Sequence, residues 1–575
     1  MPRPNILLIT SDQQHYSTFL NPEISTPNLD RLAREGTVYQ RAYCPNPTCT
    51  PTRASMITGK YPSQHGAYSL GTKLPESEPT VGQALLRGGY RTALVGKAHF
   101  QPLRGTDDFP SLESYPILQD LNFWEQFTGP FYGFEHVELA RNHTDEAHVG
   151  QHYALWMEEK GLPNWRDHFS PPTGNRPPQA HKWSLPEEFH YNTWIAERSC
   201  ALLDEYQEKD EPFFLWSSFF DPHPSYLVPE PWDTMYDPAK VTVPQITPGE
   251  HNQNPIHFQM TQQAKPDFSA WQEEGGHATH GFSSHLRSRE ALAKDIAVYY
   301  GMISCMDKYI GQILDHLDAL GLRENTLIVF TSDHGHYYGQ HGLIAKGPFH
   351  YEDAVRVPFI VSMPGQIPEG VTSQALQTLV DLPQTFLSLC DLEAIPGMTG
   401  VDQLAVWRGT AESARDNIIV ENRHQPTTIH VKTYVDERYK ITVYYNREYG
   451  EIFDLETDPG EITNLWMDHS LRGALLEKLL AVEIAKEEVL TPQTALHPNK
   501  SAQMYLKQWS DGAYEIRFNP ADNQYALYDL ENDSERDHNL WGNPDYRAMR
   551  SQLVEGLIFE RMGNEPLWMP RIWGA

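Results

Sequence analysis

Apolar residues fall into two registers along this chain. Short runs rich in aliphatic and β-branched residues, Asn5–Thr10, Tyr90–Val95, Phe213–Phe219 and Thr326–Thr331, predict strands buried on both faces. Between them the apolar spacing changes to three and four. Thr26-Pro27 predicts a helix through Leu29, Leu32 and Ala33 to Gly36, with Thr as N-cap and Pro in the first turn. Val81–Arg87 predicts a short helix and Arg287–Leu320 a long one, while Arg356–Ser362 and Ala375–Leu379 add two strands. Strands alternating with helices predict an α/β fold, a mostly parallel sheet covered by helices on both faces.

Two long stretches interrupt this alternation. Gln101–Glu187 is rich in aromatics, His and Pro, and Pro229–Ser284 is polar with little periodicity. Loops of that length are expected as lids or binding segments rather than core. After about residue 410 the pattern shifts to short alternating strands: Asn417–Glu421, Thr428–Val435, Tyr439–Tyr445 and Glu451–Leu455. The chain therefore divides into residues 1–410 and a smaller α+β part, 411–575. In the second part Ile452–Trp466 (IFDLETDPGEITNLW) is echoed by Leu527–Trp541 (LYDLENDSERDHNLW), 527 − 452 = 75 residues on. Two copies fall short of a solenoid. Each is expected to end a small antiparallel sheet and feed a helix, Leu471–Leu490 and Asp545–Phe559. The stretch Glu565–Ala575, with Trp568, Met569, Pro570, Ile572 and Trp573, is too apolar for a free end. It is expected to pack on a neighbouring subunit or back on its own chain, and a homo-oligomer is anticipated.

Composition narrows the function classes. The 575 residues are 39% hydrophobic and 11% aromatic, enough for a sizeable core. With 45 Lys and Arg against 76 Asp and Glu, the net charge of −31 argues against a partner in nucleic acid or an anionic membrane. An anionic substrate must then be drawn in by a local cationic pocket. No apolar run approaches a membrane span. The start, Met1–Thr10, reads as a first core strand rather than a secretory signal, and five cysteines make no disulfide framework, so a cytoplasmic location is expected.

Candidate chemistry collects where predicted strands end, the edge at which open α/β sheets bind ligands. Asp12-Gln13 follows the first strand and offers two oxygen ligands to a hard cation, although such an Asp alone is as readily a turn residue. Asp333-His334-Gly335 follows Thr326–Thr331 and pairs a carboxylate with an imidazole, a set suited to a divalent metal. Cys49 precedes a predicted helix that carries Arg53 in its first turn, an electropositive setting that favours a thiolate or binds an anion. Lys97 and His99 follow Tyr90–Val95, His223 follows Phe213–Phe219, and Lys346 lies beyond Asp333. Each of these singly is an ordinary surface or core residue. Together they mark one site.

Cys49-Thr50-Pro51-Thr52-Arg53 matches the C-x-P-x-R core of the type I sulfatases, and Ala54-Ser55-Met56-Ile57-Thr58-Gly59 continues their longer signature. The match extends through Gly96-Lys97-Ala98-His99, Asp221-Pro222-His223-Pro224, Phe330–Gly335, Gly339-Gln340-His341-Gly342, Lys346-Gly347, Tyr351-Glu352 and Arg356-Val357-Pro358. By these residues the chain resembles that family over most of residues 4–380. The resemblance implies an alkaline-phosphatase-like mixed sheet sandwiched by helices, with a smaller C-terminal subdomain. It implies oxidation of Cys49 to formylglycine by a formylglycine-generating enzyme, a partner during maturation. It assigns Asp12, Gln13, Asp333 and His334, with the modified residue 49, to one divalent metal, and Arg53, Lys97, His99, His223 and Lys346 to the nucleophile and the transferred group.

The implied reaction is hydrolysis of sulfate monoesters, with aryl sulfates as test substrates. A hydrated aldehyde carries two hydroxyls. One attacks sulfur close to Arg53, and His223 or Lys346 protonates the leaving alcohol. The second, deprotonated by His99, expels sulfate. Many sulfatases have a second Asp where Gln13 stands and an Asn where His334 stands. The change leaves Ca²⁺ the first expectation and admits Mn²⁺. The same combination resembles the phosphonate monoester hydrolase and choline sulfatase branches, so hydrolysis of phosphonate monoesters or phosphodiesters, or of choline sulfate, is the alternative activity. The aromatics of Gln101–Glu187 mildly favour an aromatic or apolar leaving group. A rival of another class is a non-catalytic protein that binds sulfated ligands with Cys49 unmodified.

Overall fold

The computed structural model describes residues 3–141, 148–169, 183–272, 280–425, 428–490, 507–510, 512–519, 524–567 and 569–572. Its centre is an eight-stranded sheet of β1 (Asn5–Ser11), β2 (Thr37–Tyr39), β3 (Arg91–Gly96), β4 (His136–Leu139), β5 (Phe213–Ser218), β6 (Thr326–Ser332), β7 (Phe359–Ser362) and β8 (Val371–Ser373). The order is β8-β2-β7-β6-β1-β5-β3-β4, and β7 alone runs against its neighbours. The alternation within β1 explains the two layers. Leu7 and Ile9 enter one core with α4 (Tyr191–Lys209) and α5 (Arg289–Ala319), and Ile6 and Leu8 enter the other with α2 (Cys49–Thr58), α3 (Val81–Arg87) and α6 (Leu382–Leu389). The α/β class and the mixed sheet are as expected from sequence.

Several sequence expectations change. Thr26 is the N-cap residue of α1 (Pro27–Arg34), as expected, but its hydroxyl donates to Asp30 Oδ1 instead of accepting a backbone N–H. The strand expected over Arg356–Ser362 is two strands in different sheets. Arg356–Val357 pairs with Ala42–Tyr43, and β7 begins after Pro358, which has no N–H to give a ladder. The strand expected over Ala375–Leu379 shrinks to Gln377–Thr378, because a 3-10 turn begins at Leu379. The insertion Gln101–Glu187 contributes to the core: among the described residues it supplies edge strand β4 and buries Trp124, Phe134, Tyr153 and Trp165. Those four aromatics serve the core, whereas Tyr115 of the same insertion is 66% exposed.

The C-terminal part holds two antiparallel sheets, β9 to β12 (Ile418–Gln425, Ile429–Val435, Tyr439–Tyr444, Gly450–Asp454) and β13 to β15 (Lys507–Ser510, Tyr514–Asn519, Gln524–Asp529). The sequence repeat is a structural one. Asn464 Oδ1 accepts from the N–H groups of Ile452 and Trp466, and Asn539 Oδ1 accepts from those of Leu527 and Trp541. Each copy leads to a helix, α7 (His469–Leu490) and α8 (Arg547–Asn564), and these pack together. The apolar tail folds back on its own chain: Glu565 pairs with Lys432 and His430, and Ile572 N–H donates to Gly71 O at 2.8 Å. Trp568 and Trp573 lie outside the described residues. No helix among the described residues is long and apolar enough to cross a membrane.

Candidate active site

Parallel strands bring their C-terminal ends to one edge. Thr10 of β1 lies opposite Ser218 of β5 and Thr331 of β6, and Gly96 of β3 also faces Ser218. The residues just beyond, Asp12-Gln13, Lys97, Asp221 to His223 and Asp333-His334, therefore emerge side by side. α2 starts at this edge with Cys49 as its first residue.

The expected residues converge around Cys49. Its Sγ lies 2.9 Å from Lys346 Nζ, 3.2 Å from His334 Nε2 and 3.8 Å from Asp12 Oδ1. Arg53, one helical turn on, is fully buried. Its Nε donates to Asp333 Oδ2 at 2.8 Å, and Nη1 donates to Lys97 O and Ser218 Oγ, each at 2.8 Å. Lys97 Nζ pairs with Asp12 Oδ2. Lys346 Nζ also reaches His334 Nε2 at 3.2 Å and His223 Nε2 at 3.3 Å. Gly281, from the second insertion, lies so close to Lys346 that a Cβ there would stand 2.7 Å from Lys346 O. Phe282 and Trp271 of that insertion are anchored in a cluster with Ile429, Val431, Tyr444 and Tyr449.

The electrostatics follow from this crowding. Burial and Asp12 push the Cys49 thiol up, but Lys346, Lys97 and His334 outweigh them and bring it down to about 7. Burial also opposes the charge on Asp12, yet Lys97, His223, Arg53 and Lys346 hold its carboxyl well below the usual range. His99 is the opposite case. Burial, reinforced by Arg141, Lys97 and Arg53, holds it well below its usual value, which leaves it a weak base. His223 keeps one proton occupied, since its Nδ1 hydrogen bonds to Pro224 O, an acceptor. Its Nε2 then accepts from the Lys346 ammonium.

Sequence reasoning missed the supporting residues. Arg141 reaches His99 from beyond β4, and its position after a buried strand end was the available signal. Ser218 orients Arg53. His336 is held between Gln13 Nε2 at 2.8 Å and Tyr226 OH at 2.6 Å.

The donor set suits a cation. Asp12, Cys49, Asp333 and His334 each bring one ligand atom within 4.8 Å of the others. Gln13 is held at φ 61° beside them, with its N–H on Asp333 Oδ1 at 3.0 Å, and its buried Oε1 has no hydrogen-bond partner among the described residues. His334 Nδ1–H donates to Gly335 O at 2.9 Å, which leaves the Nε2 lone pair for a metal. These residues fit one divalent ion.

Comparison with known proteins gives the same picture. The Sulfatase family model matches residues 4–392, and the model for the C-terminal part of N-sulphoglucosamine sulphohydrolase matches residues 339–487. An arylsulfatase of Clostridium perfringens is 28% identical over 500 residues, 84% of this chain and 95% of that protein. A choline-sulfatase of Rhizobium meliloti is 26% identical over 479 residues, 80% of this chain and 82% of that protein. The solved phosphonate monoester hydrolase of Agrobacterium radiobacter superposes with a TM-score of 0.67 at 25% identity, covering 84% of this chain and 96% of that one.

Proposed function

The chain belongs to the sulfatase family, the sulfuric ester hydrolases, and from that premise we propose that it hydrolyses sulfate monoesters of the aryl sulfate type with residue 49 as nucleophile. The observation that carries this reading is the ring of Arg53, Lys97, Lys346 and His223 around a residue at a helix start, beside a donor set for one divalent ion. Oxidised to formylglycine by its maturation enzyme and hydrated, residue 49 would supply two geminal hydroxyls, one to attack sulfur and one that gives its proton to a base, the role expected of His99, as sulfate leaves. Asp12, Gln13, Asp333 and His334 would hold a cation supplying Lewis acidity at the transferred group. The imidazole nitrogen among oxygen ligands moves the choice from Ca²⁺ towards Mn²⁺.

The chain's own residues divide the remaining work. Arg53 is tied to Asp333, Ser218 and the Lys97 carbonyl, so its fork is preorganised and costs little to reorganise during reaction. Lys346 is the proton donor to the leaving oxygen: its ammonium lies against Cys49 Sγ and also donates to His223. His223 accepts that hydrogen bond and steers the proton. Lys97 neutralises Asp12. All five cysteines are free thiols, which supports a reducing, cytoplasmic setting. A small anionic ester is the partner read from this site, and a homo-oligomer remains part of the reading.

The structural likeness to a phosphonate monoester hydrolase favours a second reading, in which the same residues cleave phosphonate monoesters or phosphodiesters. One experiment separates the two. Enzyme co-expressed with a formylglycine-generating enzyme is assayed on an aryl sulfate and an aryl phosphonate monoester with matched leaving groups. A higher kcat/KM for the sulfate is expected, and a preference for the phosphonate overturns the reading.

A further inference from the structure

Lys346 reaches residue 49 from a segment that needs support. Ile344–Ala345 pairs with Tyr337–Tyr338 in a two-stranded ribbon, and Ala345, the residue before Lys346, sits at φ 63°. A non-glycine residue stays in that left-handed region where its surroundings hold it there. Part of the hold comes from the second insertion. Gly281, itself at φ 85°, lies against the main chain of Lys346 and Gly347: a Cβ on it would stand 2.7 Å from Lys346 O and 2.9 Å from Gly347 Cα.

His285 joins these two segments. Its ring is buried, and Ile344 N–H donates to its Nδ1 at 3.1 Å. The ring proton is therefore on Nε2, which donates to Gly281 O at 2.7 Å. Burial brings the imidazole down to about 4, so at pH 7 it is neutral and keeps one acceptor and one donor. Phe349 packs edge-on against the ring with centroids 5.9 Å apart, and His285 N–H fixes the main chain by donating to Thr261 O at 2.8 Å. Both ring nitrogens are used, and they reach the two segments that meet at the Lys346 main chain.

Resting on the sulfatase reading, we propose that His285 is a positioning residue that staples the second insertion to the strand before Lys346 and so holds the Lys346 ammonium against residue 49, where the leaving oxygen is protonated. When the ester S–O bond breaks, its electron pair stays on the aryl oxygen, and Lys346 Nζ gives that oxygen a proton and becomes an amine. His285 acts through Ile344 and Gly281 and touches neither nucleophile nor substrate.

The test compares kcat/KM of matured enzyme for two aryl sulfates, one with a nitrophenol that departs readily and one with unsubstituted phenol, which needs the proton. A residue that only supports folding changes both by one factor, the fraction of active enzyme. His285→Leu keeps neither bond and is expected to lower the phenyl ester roughly a hundredfold and the nitrophenyl ester roughly tenfold or less. His285→Asn puts an amide oxygen near the Nδ1 position and His285→Gln an amide N–H near the Nε2 position, so each should recover part of the loss. In the Lys346→Met background His285→Leu should cost little more. Equal losses on the two esters, or none, overturn the proposal, as does a full further loss in the Lys346→Met background. Where melting curves show His285→Leu unfolded, Gly281→Ala, whose Cβ meets Lys346 O, is read in its place with the same expected inequality. ¹⁵N spectra of histidine-labelled protein, with His285 assigned by its absence in His285→Gln, read the tautomer without any substrate. An Nε2-protonated ring supports the proposal and an Nδ1-protonated ring overturns it. A wild-type enzyme inactive on aryl sulfates removes the sulfatase reading alone, and the same two leaving groups on aryl phosphonate monoesters then decide the role of His285.

Discussion

Lys346 Nζ sits 2.9 Å from Cys49 Sγ although 297 residues separate them in sequence. The contact makes Lys346 both the nearest cation to the nucleophile position and, through His223, part of a proton path. It also explains why the thiol titrates low. Burial alone would have raised it, so the cations decide the sign.

That balance gives the first prediction. In chain made without the maturation enzyme, alkylation of Cys49 by a small haloacetamide should rise with pH around about 7. Lys346→Met removes the strongest of the lowering charges, so the midpoint should move up towards the ordinary value of 9.0. Peptide mass spectrometry after timed alkylation reads both. In matured enzyme the same substitution should cost about 10²- to 10³-fold in kcat, the scale of one preorganised donor. An unchanged alkylation midpoint would show that Lys346 does not face residue 49.

Much of this site was legible because a parallel sheet converts sequence order into spatial order. Asp12, Lys97, His223 and Asp333 each follow a strand that is apolar enough to read, and the register of β1, β3, β5 and β6 does the rest. Arg141 escaped for the complementary reason. Its strand, His136–Leu139, is a short edge strand with a polar start, hidden in a stretch that lacks an apolar run. The split at Pro358 was readable from that proline, yet the apolar run Val357–Val361 masked it. The roles of the histidines were not readable at all. Whether His99 or His334 accepts or donates depends on Arg141 Nη2 and Gly335 O, partners that only folding supplies.

His341 shows how a signature residue can be structural. It stacks on Tyr351 with ring centroids 3.7 Å apart and lies 3.3 Å from Asp353, which also holds His15 at 2.7 Å. Burial works against its charge, but Asp353 and Glu250 prevail and raise it to about 9. A raised folded-state value contributes stability that is full below the ordinary value of 6.5 and is lost as pH climbs through about 9. At about 1.4 kcal/mol for each pH unit, the contribution reaches roughly 3 kcal/mol. His341→Asn should therefore destabilise most near pH 6 and least above pH 9.5, measured as urea midpoints at several pH values. A gap independent of pH would mean that His341 stays neutral in the folded chain.

The last prediction concerns the metal. His334 donates from Nδ1 to Gly335 O, a bond that allows one neutral tautomer only, with the Nε2 lone pair facing Cys49 Sγ at 3.2 Å. Gln13 Nε2 is engaged by His336, which leaves the amide oxygen as its ligand atom. Two carboxylates, an amide oxygen and an imidazole nitrogen are a mixed set, and nitrogen ligation favours a transition metal over Ca²⁺. After removal of metal by a chelator, Mn²⁺ should restore hydrolysis more fully than Ca²⁺. His334→Asn replaces the nitrogen by an amide oxygen and should weaken Mn²⁺ by roughly tenfold or more while Ca²⁺ changes less. Metal titration by activity and by direct metal analysis checks both halves. Equal restoration of the wild type by Ca²⁺ would show that the oxygens, and not His334, choose the ion.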